Sequence, residues 1–435
     1  MPASTAPPSG MRDFLPEDVR RREYVIGIIK RVYERYGFEP LETPAAENIE
    51  TLLGKYGEEG NKLIFKILKR GEHEATGQAD LALRYDLTVP LARVVAHYQA
   101  KLPRPFKRYQ IQPVWRADRP GRGRFREFYQ CDVDSLGSTS PVVDAELCAA
   151  VAGVMTELGF TDFVIRLNHR QLLTSVLSGL GIAEPLHGSA LIAVDKMDKI
   201  GADGVKAELA SRGVPDAAAE RLLASMVQSD LSMVADANAS AADNLRQIEE
   251  LLASTPAAGR LRFDLSLARG LDYYTGAITE MNVPDLAGSL GAGGRYDNLI
   301  GMFSGQQIPA CGFSLGLERI LVVMTERGMF PPSLATTPAD VMVAAFDAGG
   351  AGPAMRLADR LRGAGLRVMI YPDPDRIGKQ IKYADGRGIP FVAILGDEEI
   401  KAGRVTVKNL AAQTQQTYDQ TAAAAAILEG LRRRG

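Results

Sequence analysis

The chain has 435 residues, a length that suggests two or three domains rather than one core. Its 46% apolar and 24% charged residues are typical of a soluble globular protein, and no run of about 18 apolar residues predicts a membrane span. A net charge of −2 excludes a global attraction to nucleic acid, so any polyanionic partner must meet local basic patches. Three scattered cysteines and four histidines indicate neither a disulfide framework nor a zinc cluster, and they fit a reducing cytoplasm. The N-terminus lacks the apolar core of a secretory signal.

The first predicted element is a helix from Pro16 to Tyr36. Its apolar residues recur at helical spacing, and Gly37 is a natural C-terminal stop. The segment FEPLETP then predicts a short strand that ends at Pro44. These elements indicate scaffold, either a helix packed on a sheet edge or a subunit interface.

Residues 82–96, ALRYDLTVPLARVVA, predict a strand followed by a helix that Pro90 opens. The strand would place Arg84, Asp86 and Thr88 on one face. A carboxylate and a hydroxyl at a strand end suit an ammonium group. The same two side chains also suit an N-cap for the following helix, so both interpretations stand at this point.

The central feature is a polar hairpin between Arg104 and Asp134, with a long loop that contains Pro120 and two glycines. Alternation in its second strand separates a core face from a polar face. The core face carries Phe125, Tyr129, Cys131 and Val133. The polar face carries Arg124, Arg126, Phe128, Gln130, Asp132 and Asp134. Such a face suits an anion, a planar base and a small polar ligand, although a solvated outer face is the alternative.

A helix at 140–159 and a strand at 162–167 follow, and the composition then becomes rich in Ala and Leu. Residues from His169 to about Arg260 predict an inserted helical lobe without a catalytic constellation. His169 and His187 are therefore interpreted as solvated or core residues.

Strands resume near Arg262. The segment 267–280, LARGLDYYTGAITE, would place Arg269, Leu271 and Tyr273 on one face. The segment 289–300, SLGAGGRYDNLI, has neither the phosphate-loop pattern nor the dinucleotide fingerprint. Its glycines predict a flat strand beneath a ligand or, alternatively, a plain hairpin turn.

A strand that turns into a helix follows at 310–328, with Arg319 in the first turns of the helix. Three prolines near 331–338 mark a linker. The remaining 100 residues alternate strand and helix, which predicts a mostly parallel sheet covered by helices. Basic residues surround its second helix, either as a solvated face or as a nucleic-acid contact: Arg376, Lys379, Lys382 and Arg387.

Together these segments resemble the histidyl-tRNA synthetases, a family of class II aminoacyl-tRNA synthetases. FEPLETP resembles motif 1, the hairpin at 104–134 resembles motif 2, and GFSLGLER at 312–319 resembles motif 3. These three motifs indicate only the class. The histidine-specific signals are LARGLDYYT and GAGGRYDNLI, in that order between motifs 2 and 3.

The resemblance implies an α+β catalytic domain, in which helices flank an antiparallel sheet, with a helical insertion and a C-terminal α/β anticodon-binding domain. It also implies a homodimer paired partly through motif 1. The expected boundaries are 1–167 with 261–328 for the catalytic domain, 168–260 for the insertion, 329–338 for the linker and 339–435 for the anticodon-binding domain.

The implied reaction joins L-histidine to tRNA(His) through histidyl-adenylate, with ATP as substrate, Mg²⁺ beside the β- and γ-phosphates, and AMP and pyrophosphate as products. No protein ligand is expected to hold the metal. Both reactants of the first step are anions, so electrostatic stabilisation should dominate. The resemblance assigns the α-phosphate to Arg116 and Arg269, the γ-phosphate to Arg124, and the adenine to Phe128, Arg319 and Asp118.

The same resemblance implies the histidine pocket. It assigns the ammonium group to Asp86, Thr88 and Gln130, and the two imidazole nitrogens to Asp134 and Tyr273, with Tyr274 adjacent. A pocket that hydrogen-bonds both ring nitrogens discriminates by about 10⁴–10⁵ without editing, because other amino acids leave its buried polar groups unpaired.

Two departures from the usual bacterial pattern bear on function. Motif 2 reads REFYQCD, like the eukaryotic branch, and the loop at 120–123 lacks the glutamine of bacterial forms. We therefore hypothesise that the chain depends less on an extra 5′ guanosine of the tRNA. Ser314 replaces a motif 3 glycine, a mild change.

Three alternative functions compete with this interpretation. They are a non-enzymatic regulatory paralogue of ATP phosphoribosyltransferase, a synthetase for glycine, threonine or proline, and a pure RNA-binding module. The C-terminal domain and the Arg269–Tyr274 motif argue against the first, and Asp134 with Tyr273 and Tyr274 argues against the second. A histidine-dependent exchange of pyrophosphate into ATP separates the third.

Overall fold

A computed structural model of the chain describes residues 5–71, 76–268, 273–332, 334, 337–345 and 348–433, but not the side chains of 57–59, 198 and 348. The chain divides into two compact units, Met1–Phe330 and Pro331–Gly435.

The first unit contains strands β1 to β11, with short strands at its start and longer ones in motif 2. In chain order they are β1 Glu39–Pro40, β2 Ala46–Asn48, β3 Lys66–Leu68, β4 Ala79–Leu83, β5 Phe106–Trp115, β6 Glu127–Leu136, β7 Val164–His169, β8 Leu261–Phe263, β9 Ala277–Asn282, β10 Gly291–Arg295 and β11 Ala310–Gly316.

The helices of this unit are labelled α1 to α13. They are α1 Pro16–Arg35, α2 Ile49–Leu52, α3 Gly57–Lys62, α4 Thr88–Tyr98, α5 Pro141–Glu157, α6 Arg170–Gly179, α7 Glu184–Val194, α8 Met197–Ser211, α9 Asp216–Gln228, α10 Leu231–Val234, α11 Ala239–Leu252, α12 Gly301–Ser304 and α13 Leu317–Glu326. A 3₁₀ turn, Ala235–Ala237, follows α10.

The main sheet has eight strands in the order β1-β5-β6-β11-β10-β9-β7-β8. The pairs from β5 to β7 are antiparallel, whereas the edge pairs β1–β5 and β7–β8 are parallel. The expectation of an antiparallel sheet flanked by helices is therefore confirmed, with parallel edges added. A small sheet, β2-β4-β3, lies beside it.

The motif 2 hairpin is confirmed, and its apolar face lies on the main core. Tyr109, Cys131 and Val133 belong to one buried cluster with residues of α1 and α5. Alternation in β5 and β6 sends these side chains inward and their neighbours to the opposite face. The predicted helix α1 ends as expected, and Gly37 has a φ of 76° that favours glycine.

Helices α6 to α11 connect β7 to β8, as the helical composition of this segment predicted. Their apolar residues join the same core as the sheet. His169 caps α6, because its Nδ1 accepts a hydrogen bond from the Gln171 N–H at 3.2 Å. His187 Nε2 lies 2.9 Å from the Ile182 carbonyl oxygen. Both histidines are structural in these contacts.

Two strand predictions were too long. The strand before motif 2 ends at Leu83, because the Asp86 carboxylate accepts the Val89 N–H and starts α4 at Thr88. Of the strand predicted at 267–280, residues 269–272 lie outside the described residues, 267–268 and 273–276 are not in a strand, and β9 begins at Ala277. Its neighbour β7 ends at His169, where α6 begins, and the ladder therefore stops at the His169–Ala277 pair.

The second unit has a sheet in the order β13-β12-β14-β15-β16. Only β13, β12 and β14 are parallel, so the mostly parallel prediction was wrong for the other pairs. The unpredicted strand β16 is polar and exposed, without apolar alternation. The elements are β12 Val341–Ala345, a 3₁₀ turn Ala348–Gly350, α14 Ala351–Gly363, β13 Val368–Ile370, α15 Ile377–Gly386, β14 Phe391–Leu395, α16 Asp397–Ala402, β15 Arg404–Asn409, β16 Thr414–Asp419 and α17 Ala423–Arg432.

Within the described residues, no single helix has the length and apolarity needed to cross a membrane. Helices α6 and α7 are bent by 116° relative to each other, and together they meet the requirements for a membrane span in length and composition only.

Candidate active site

The polar face of β6 is buried at Gln130, Asp132 and Asp134, so the alternative of a solvated outer face was wrong for this half, whereas Arg124 at the loop end is exposed. Asp132 and Asp134 are each 2% exposed. Cross-strand register places Asp134 opposite Arg108, and Asp132 between Gln110 on β5 and Ser314 on β11. Because burying unpaired charge is costly, these groups must be held by partners or reserved for a ligand.

Glycine in the neighbouring strand β11 allows the carboxylates to lie close to the sheet. Gly312 lies opposite Asp134, and a Cβ at Gly312 would come 1.9 Å from Asp134 Oδ1. Only glycine therefore leaves room for this carboxylate to lie over β11. The segment 291–295 is the strand β10, so the prediction of a strand is confirmed and the plain hairpin turn was wrong, whereas its place beneath a ligand stays a prediction.

One oxygen of Asp134 accepts a hydrogen bond, and the other lies in an ion pair but has no hydrogen-bond partner among the described residues. The Tyr296 hydroxyl donates to Oδ1, and Arg108 Nη2 lies 2.9 Å from Oδ2. Arg108 itself is fully buried, and it also donates to the Gln110 side chain at 3.1 Å. Burial raises the pKa of Asp134, while the Arg108 charge and the Tyr296 hydrogen bond oppose that rise.

Asp132 is held less completely than Asp134. The Ser314 side chain hydrogen-bonds it, but no hydrogen-bond donor in the described part of the chain reaches Asp132 Oδ1. Burial raises the pKa of Asp132 to about 7, with Arg108 acting against the rise and Asp134 adding to it.

Asp86 is a third buried carboxylate, and it lies just before α4. Its Oδ1 accepts from the Tyr56 hydroxyl at 2.9 Å and from the Val89 N–H at 3.1 Å. For Oδ2, the described residues provide no hydrogen-bond partner. Burial raises the pKa of Asp86, and the Val89 N–H and the Arg116 charge oppose it. One carboxylate oxygen thus caps α4, while the other remains available for a ligand.

Gln130 and Thr88 lie next to Asp86. The Gln130 Oε1 accepts from the Leu87 N–H at 3.2 Å, and its Nε2 donates to Ser314 Oγ at 3.0 Å. Thr88 hydrogen-bonds the side chain of Tyr273. These contacts connect the start of α4 with β6, β11 and the segment before β9.

Tyr273 and Tyr274 cover this region. Tyr273 is partly exposed, and its ring meets the edges of Tyr274 and Tyr296 at centroid distances of 5.1 and 6.0 Å. Loss of hydration raises the pKa of Tyr273 well above its ordinary value. Both hydroxyls therefore stay protonated near neutral pH and can donate hydrogen bonds.

Arg116 lies at the end of the hairpin, against two aromatic rings. Its guanidinium carbon is 4.3 Å from the Tyr85 ring centroid and 5.2 Å from that of Phe128, and Nε donates to the Tyr85 carbonyl at 3.0 Å. Its charge also acts on Asp86 and Tyr273. The guanidinium is therefore fixed near the ammonium-binding candidates.

The motif 2 loop brings together Asp118 and Arg124, whose Oδ2 and Nε atoms are 3.2 Å apart. Gly123, at a φ of 67°, approaches the Arg319 stem so closely that a Cβ would come 3.2 Å from Cγ. Arg319 Nη1 donates to the Ser289 carbonyl. The loop and the start of α13 therefore meet beside the polar face.

The structure brings most of the predicted site residues together in two adjoining groups. Asp86, Thr88, Gln130, Asp134, Tyr273 and Tyr274 form one group, and Arg116, Asp118, Arg124, Phe128 and Arg319 form the other. Arg269 lies outside the described residues, so its placement stays a prediction.

Three contributing residues were missed by the sequence analysis. They are Arg108 and Tyr296, which hold Asp134, and Tyr56, which holds Asp86. Arg108 could have been found by applying the alternation rule to β5 as well as β6. Tyr296 lies within the GAGGRYDNLI motif. Tyr56 lies in a segment with no periodic signal, and nothing in the sequence marks it.

Among the described residues, no group of three or more His, Cys, Asp or Glu side chains is placed to hold a metal ion. Arg108 and the Tyr56 and Tyr296 hydroxyls occupy the space around the buried carboxylates. The oxygens of Asp86 and Asp132 that have no hydrogen-bond partner among the described residues suit a cationic or hydrogen-donating ligand.

Comparison with protein families gives a match to the model described as histidyl-tRNA synthetase over residues 10–320, and to an anticodon binding domain over residues 340–430. A histidine–tRNA ligase of Gloeobacter violaceus is 42% identical over 97% of this chain and 98% of its own length. A second, of Flavobacterium johnsoniae, is 39% identical over 95% of this chain and 96% of its own.

The crystal structure of a histidyl-tRNA synthetase from Nostoc sp. PCC 7120 matches all of this chain and all of its own, with a TM-score of 0.80 and 31% identity. The family and its relatives imply the aminoacylation of tRNA with histidine, with ATP as substrate. The family match, the curated relatives and the fold agree with the motifs that the sequence carries. This chain belongs to the histidyl-tRNA synthetase family.

Proposed function

We propose that the polar face of β5, β6 and β11 binds histidine and ATP side by side and forms histidyl-adenylate. The histidine carboxylate oxygen attacks the α-phosphorus, and the bond to the pyrophosphate leaving group breaks. A terminal ribose hydroxyl of tRNA(His) then attacks the histidyl carbonyl, loses its proton and releases AMP. The chain would thereby ligate L-histidine to tRNA(His).

The observation that carries this proposal is the buried Asp86 carboxylate, with one oxygen held and one without a partner among the described residues. An ammonium group supplies the charge and the donors that this oxygen lacks. Thr88 and Gln130 would complete the ammonium site. The Arg116 guanidinium, whose charge acts on Asp86, would hold the carboxylate of the same amino acid.

The ATP site would lie at the loop end of the hairpin. Arg116 would bind the α-phosphate, Arg124 the γ-phosphate, and Phe128 with Arg319 the adenine ring. Asp118 would face the adenine amino group, although it is shorter than the glutamate that most class II enzymes carry. Arg269 would be the second arginine at the α-phosphate. Guanidinium groups suit these positions because they keep their charge and present a planar fork to phosphate oxygens.

Mg²⁺ would arrive with the β- and γ-phosphates and offset their charge. The side-chain end of the histidine pocket would lie beside Asp134, Tyr273 and Tyr274. Such a site would reject other amino acids by about 10⁴–10⁵, because its buried polar groups would otherwise stay unpaired.

We further propose a cytoplasmic homodimer, paired partly through residues 38–44. The catalytic domain would comprise 1–167 and 261–328 around an insertion at 168–260, and the linker 329–338 would lead to an anticodon-binding domain at 339–435. Light scattering of the purified protein tests the dimer, for which we expect about twice the chain mass of 47.0 kDa.

The proposal is tested by exchange of labelled pyrophosphate into ATP, measured with each of the twenty amino acids. Histidine alone should support exchange. Arg116→Ala should lower kcat/KM for exchange by about 10²–10³, the usual cost of removing one preorganised charge contact. Arg116→Lys keeps the charge without the planar fork and should lose less.

A regulatory paralogue or an RNA-binding module would give no exchange with any amino acid. Exchange driven by another amino acid would contradict the histidine assignment. Full activity of Arg116→Ala would contradict the placement of the phosphate.

A further inference from the structure

We infer that Asp132, oriented by Ser314, accepts the ring N–H of the bound histidine, so that this pocket reads imidazole with a different carboxylate from Asp134. The inference rests on the proposed function, because it assigns the side-chain end of the same pocket. Asp132 and Asp134 lie on one face of β6, two residues apart.

Asp134 is already committed within the protein. Its Oδ1 accepts from the Tyr296 hydroxyl, and its Oδ2 pairs with Arg108 Nη2 at 2.9 Å. All these groups are buried, with Asp134 and Tyr296 2% exposed and Arg108 0% exposed. A buried charge pair that is also hydrogen-bonded is costly to break. Asp134 therefore acts as the counter-ion that holds Arg108 and Tyr296 in place.

Asp134 Oδ2 pairs with Arg108, whereas Asp132 has no ion-pair partner among the described residues. It is 2% exposed, and within the described ranges no donor reaches its Oδ1. A buried carboxylate oxygen without a donor is costly unless a ligand supplies one. An imidazole ring offers an N–H of the required kind.

A chain of hydrogen bonds fixes the orientation of Asp132. The Leu87 N–H donates to Gln130 Oε1 at 3.2 Å, which turns Gln130 Nε2 toward Ser314 Oγ, 3.0 Å away. Because Ser314 Oγ accepts that bond, its single hydroxyl proton is available for Asp132, which the Ser314 side chain hydrogen-bonds.

The charges of the pocket support this division of roles. Among the described residues, Asp86, Asp132 and Asp134 interact with the charges of Arg108 and Arg116, and these three carboxylates outnumber the two guanidinium groups. Asp86 lies at the start of α4 and would take the ammonium group. Asp132 lies across Gln130 and Ser314 from it, where the side chain of the same amino acid would extend.

The test compares two ligands in the exchange assay of the full-length protein. L-histidine is the substrate, and 3-(imidazol-4-yl)propanoate, which keeps the ring and carboxylate but lacks the amino group, is measured as a competitive inhibitor. We expect Asp132→Ala to weaken both ligands by about the same factor, 10- to 100-fold, because both lose a charge-assisted bond to the ring. Asp132→Asn, which keeps an oxygen acceptor, should lose less.

Asp86→Asn is the matched variant, since it should weaken histidine but leave the inhibition constant of the amine-free ligand within about twofold. Ser314→Ala should weaken both ligands by about 3- to 10-fold without changing the KM for ATP, because it removes only the hydroxyl that orients Asp132. This small change also keeps the test intact if Asp132→Ala fails to fold.

Either of two outcomes would overturn the inference. In the first, Asp132→Ala weakens histidine but not the amine-free ligand, which would place Asp132 at the ammonium group. In the second, Ser314→Ala leaves both ligands unchanged. Absence of histidine-dependent exchange in the unmodified protein would instead contradict the proposed function itself.

Discussion

At the residue scale, the buried carboxylate of Asp132 lowers the stability of the ligand-free protein at pH values where it is ionised. Burial raises its pKa to about 7, whereas the unfolded chain ionises it near 3.8. The folded state therefore binds a proton that the unfolded state has lost, and the contribution of Asp132 to stability falls as pH rises from about 4 through about 7. Arg108 opposes this effect, and Asp134 and Asp86 reinforce it.

Asp132→Asn should therefore raise the melting temperature of the ligand-free protein, and the gain should be larger at pH 8 than at pH 5. Each kcal/mol gained in the free energy of unfolding raises the melting temperature by about 2–4 °C, or by less in a chain of this length. Thermal melts at the two pH values measure it. Asp243→Asn, at a side chain that is 61% exposed, is the control and should show no such difference. A lower melting temperature for Asp132→Asn at pH 8 would contradict the account.

The family resemblance names the candidate site residues one by one, and their roles stay predictions, although the structure brings most of the described ones together. The supporting residues could not be predicted, since their roles arise from contacts between distant segments. Arg108 and Tyr296 meet at Asp134 across β5, β6 and the end of β10. Tyr56 reaches Asp86 from a segment without a clear period. Sequence patterns report local periodicity and contain no direct measure of such long-range contacts.

At the scale of elements, the glycine content of β11 sets how close the carboxylates approach the sheet. Gly312→Ala should raise the KM for histidine at least tenfold and lower the melting temperature, because its Cβ would come 1.9 Å from Asp134 Oδ1 and displace that side chain. Gly316→Ala on the same strand is the matched control. Its Cβ would meet the Leu290 carbonyl oxygen at an ordinary 3.4 Å and should change both quantities little. Equal effects of the two substitutions would contradict the proposed tight fit at Gly312.

The motif 2 loop carries a prediction about tRNA. Arg122 donates to the Glu326 carboxylate and to the Asp285 carbonyl oxygen, and the loop lacks the bacterial glutamine. We expect aminoacylation to depend only weakly on an extra 5′ guanosine. Aminoacylation of tRNA(His) transcripts with and without that nucleotide measures this dependence, and a loss of several hundredfold without it would refute the hypothesis.

Elements with strong periodicity were predictable, whereas their ends were not. The hairpin and α1 follow from alternation and helical spacing. The strand before α4 stops early because the Asp86 side chain accepts the Val89 N–H and starts the helix. Secondary-structure propensities do not include such a hydrogen bond between a side chain and the backbone. Strand β16 was missed because its residues are polar and lie at the exposed edge of a sheet.

At the scale of the whole molecule, the second unit has an apolar core of its own on each side of its sheet. Its match to an anticodon binding domain gives it a role in tRNA binding. The alternation of strands and helices was enough to predict this unit, but not the antiparallel turn of β15 and β16, because direction depends on connections that composition does not specify.

A chain truncated after Phe330 should keep histidine-dependent exchange within about tenfold, because the proposed pocket lies wholly in the first unit. Its kcat/KM for aminoacylation should fall by about 100-fold or more, equivalent to roughly 3 kcal/mol of lost tRNA recognition. Exchange and aminoacylation measured on the same preparation check both expectations. Equal loss of exchange and aminoacylation would contradict the assignment of histidine activation to the first unit and tRNA recognition to the second.

The most direct test is a crystal structure with a non-hydrolysable histidyl-adenylate analogue bound. Its ammonium nitrogen should lie about 3 Å from Asp86 Oδ2, its ring nitrogen should face Asp132, and Arg116 should contact the group that replaces the phosphate. An analogue seated away from these three side chains, with Asp86 Oδ2 still unpaired, would contradict the account.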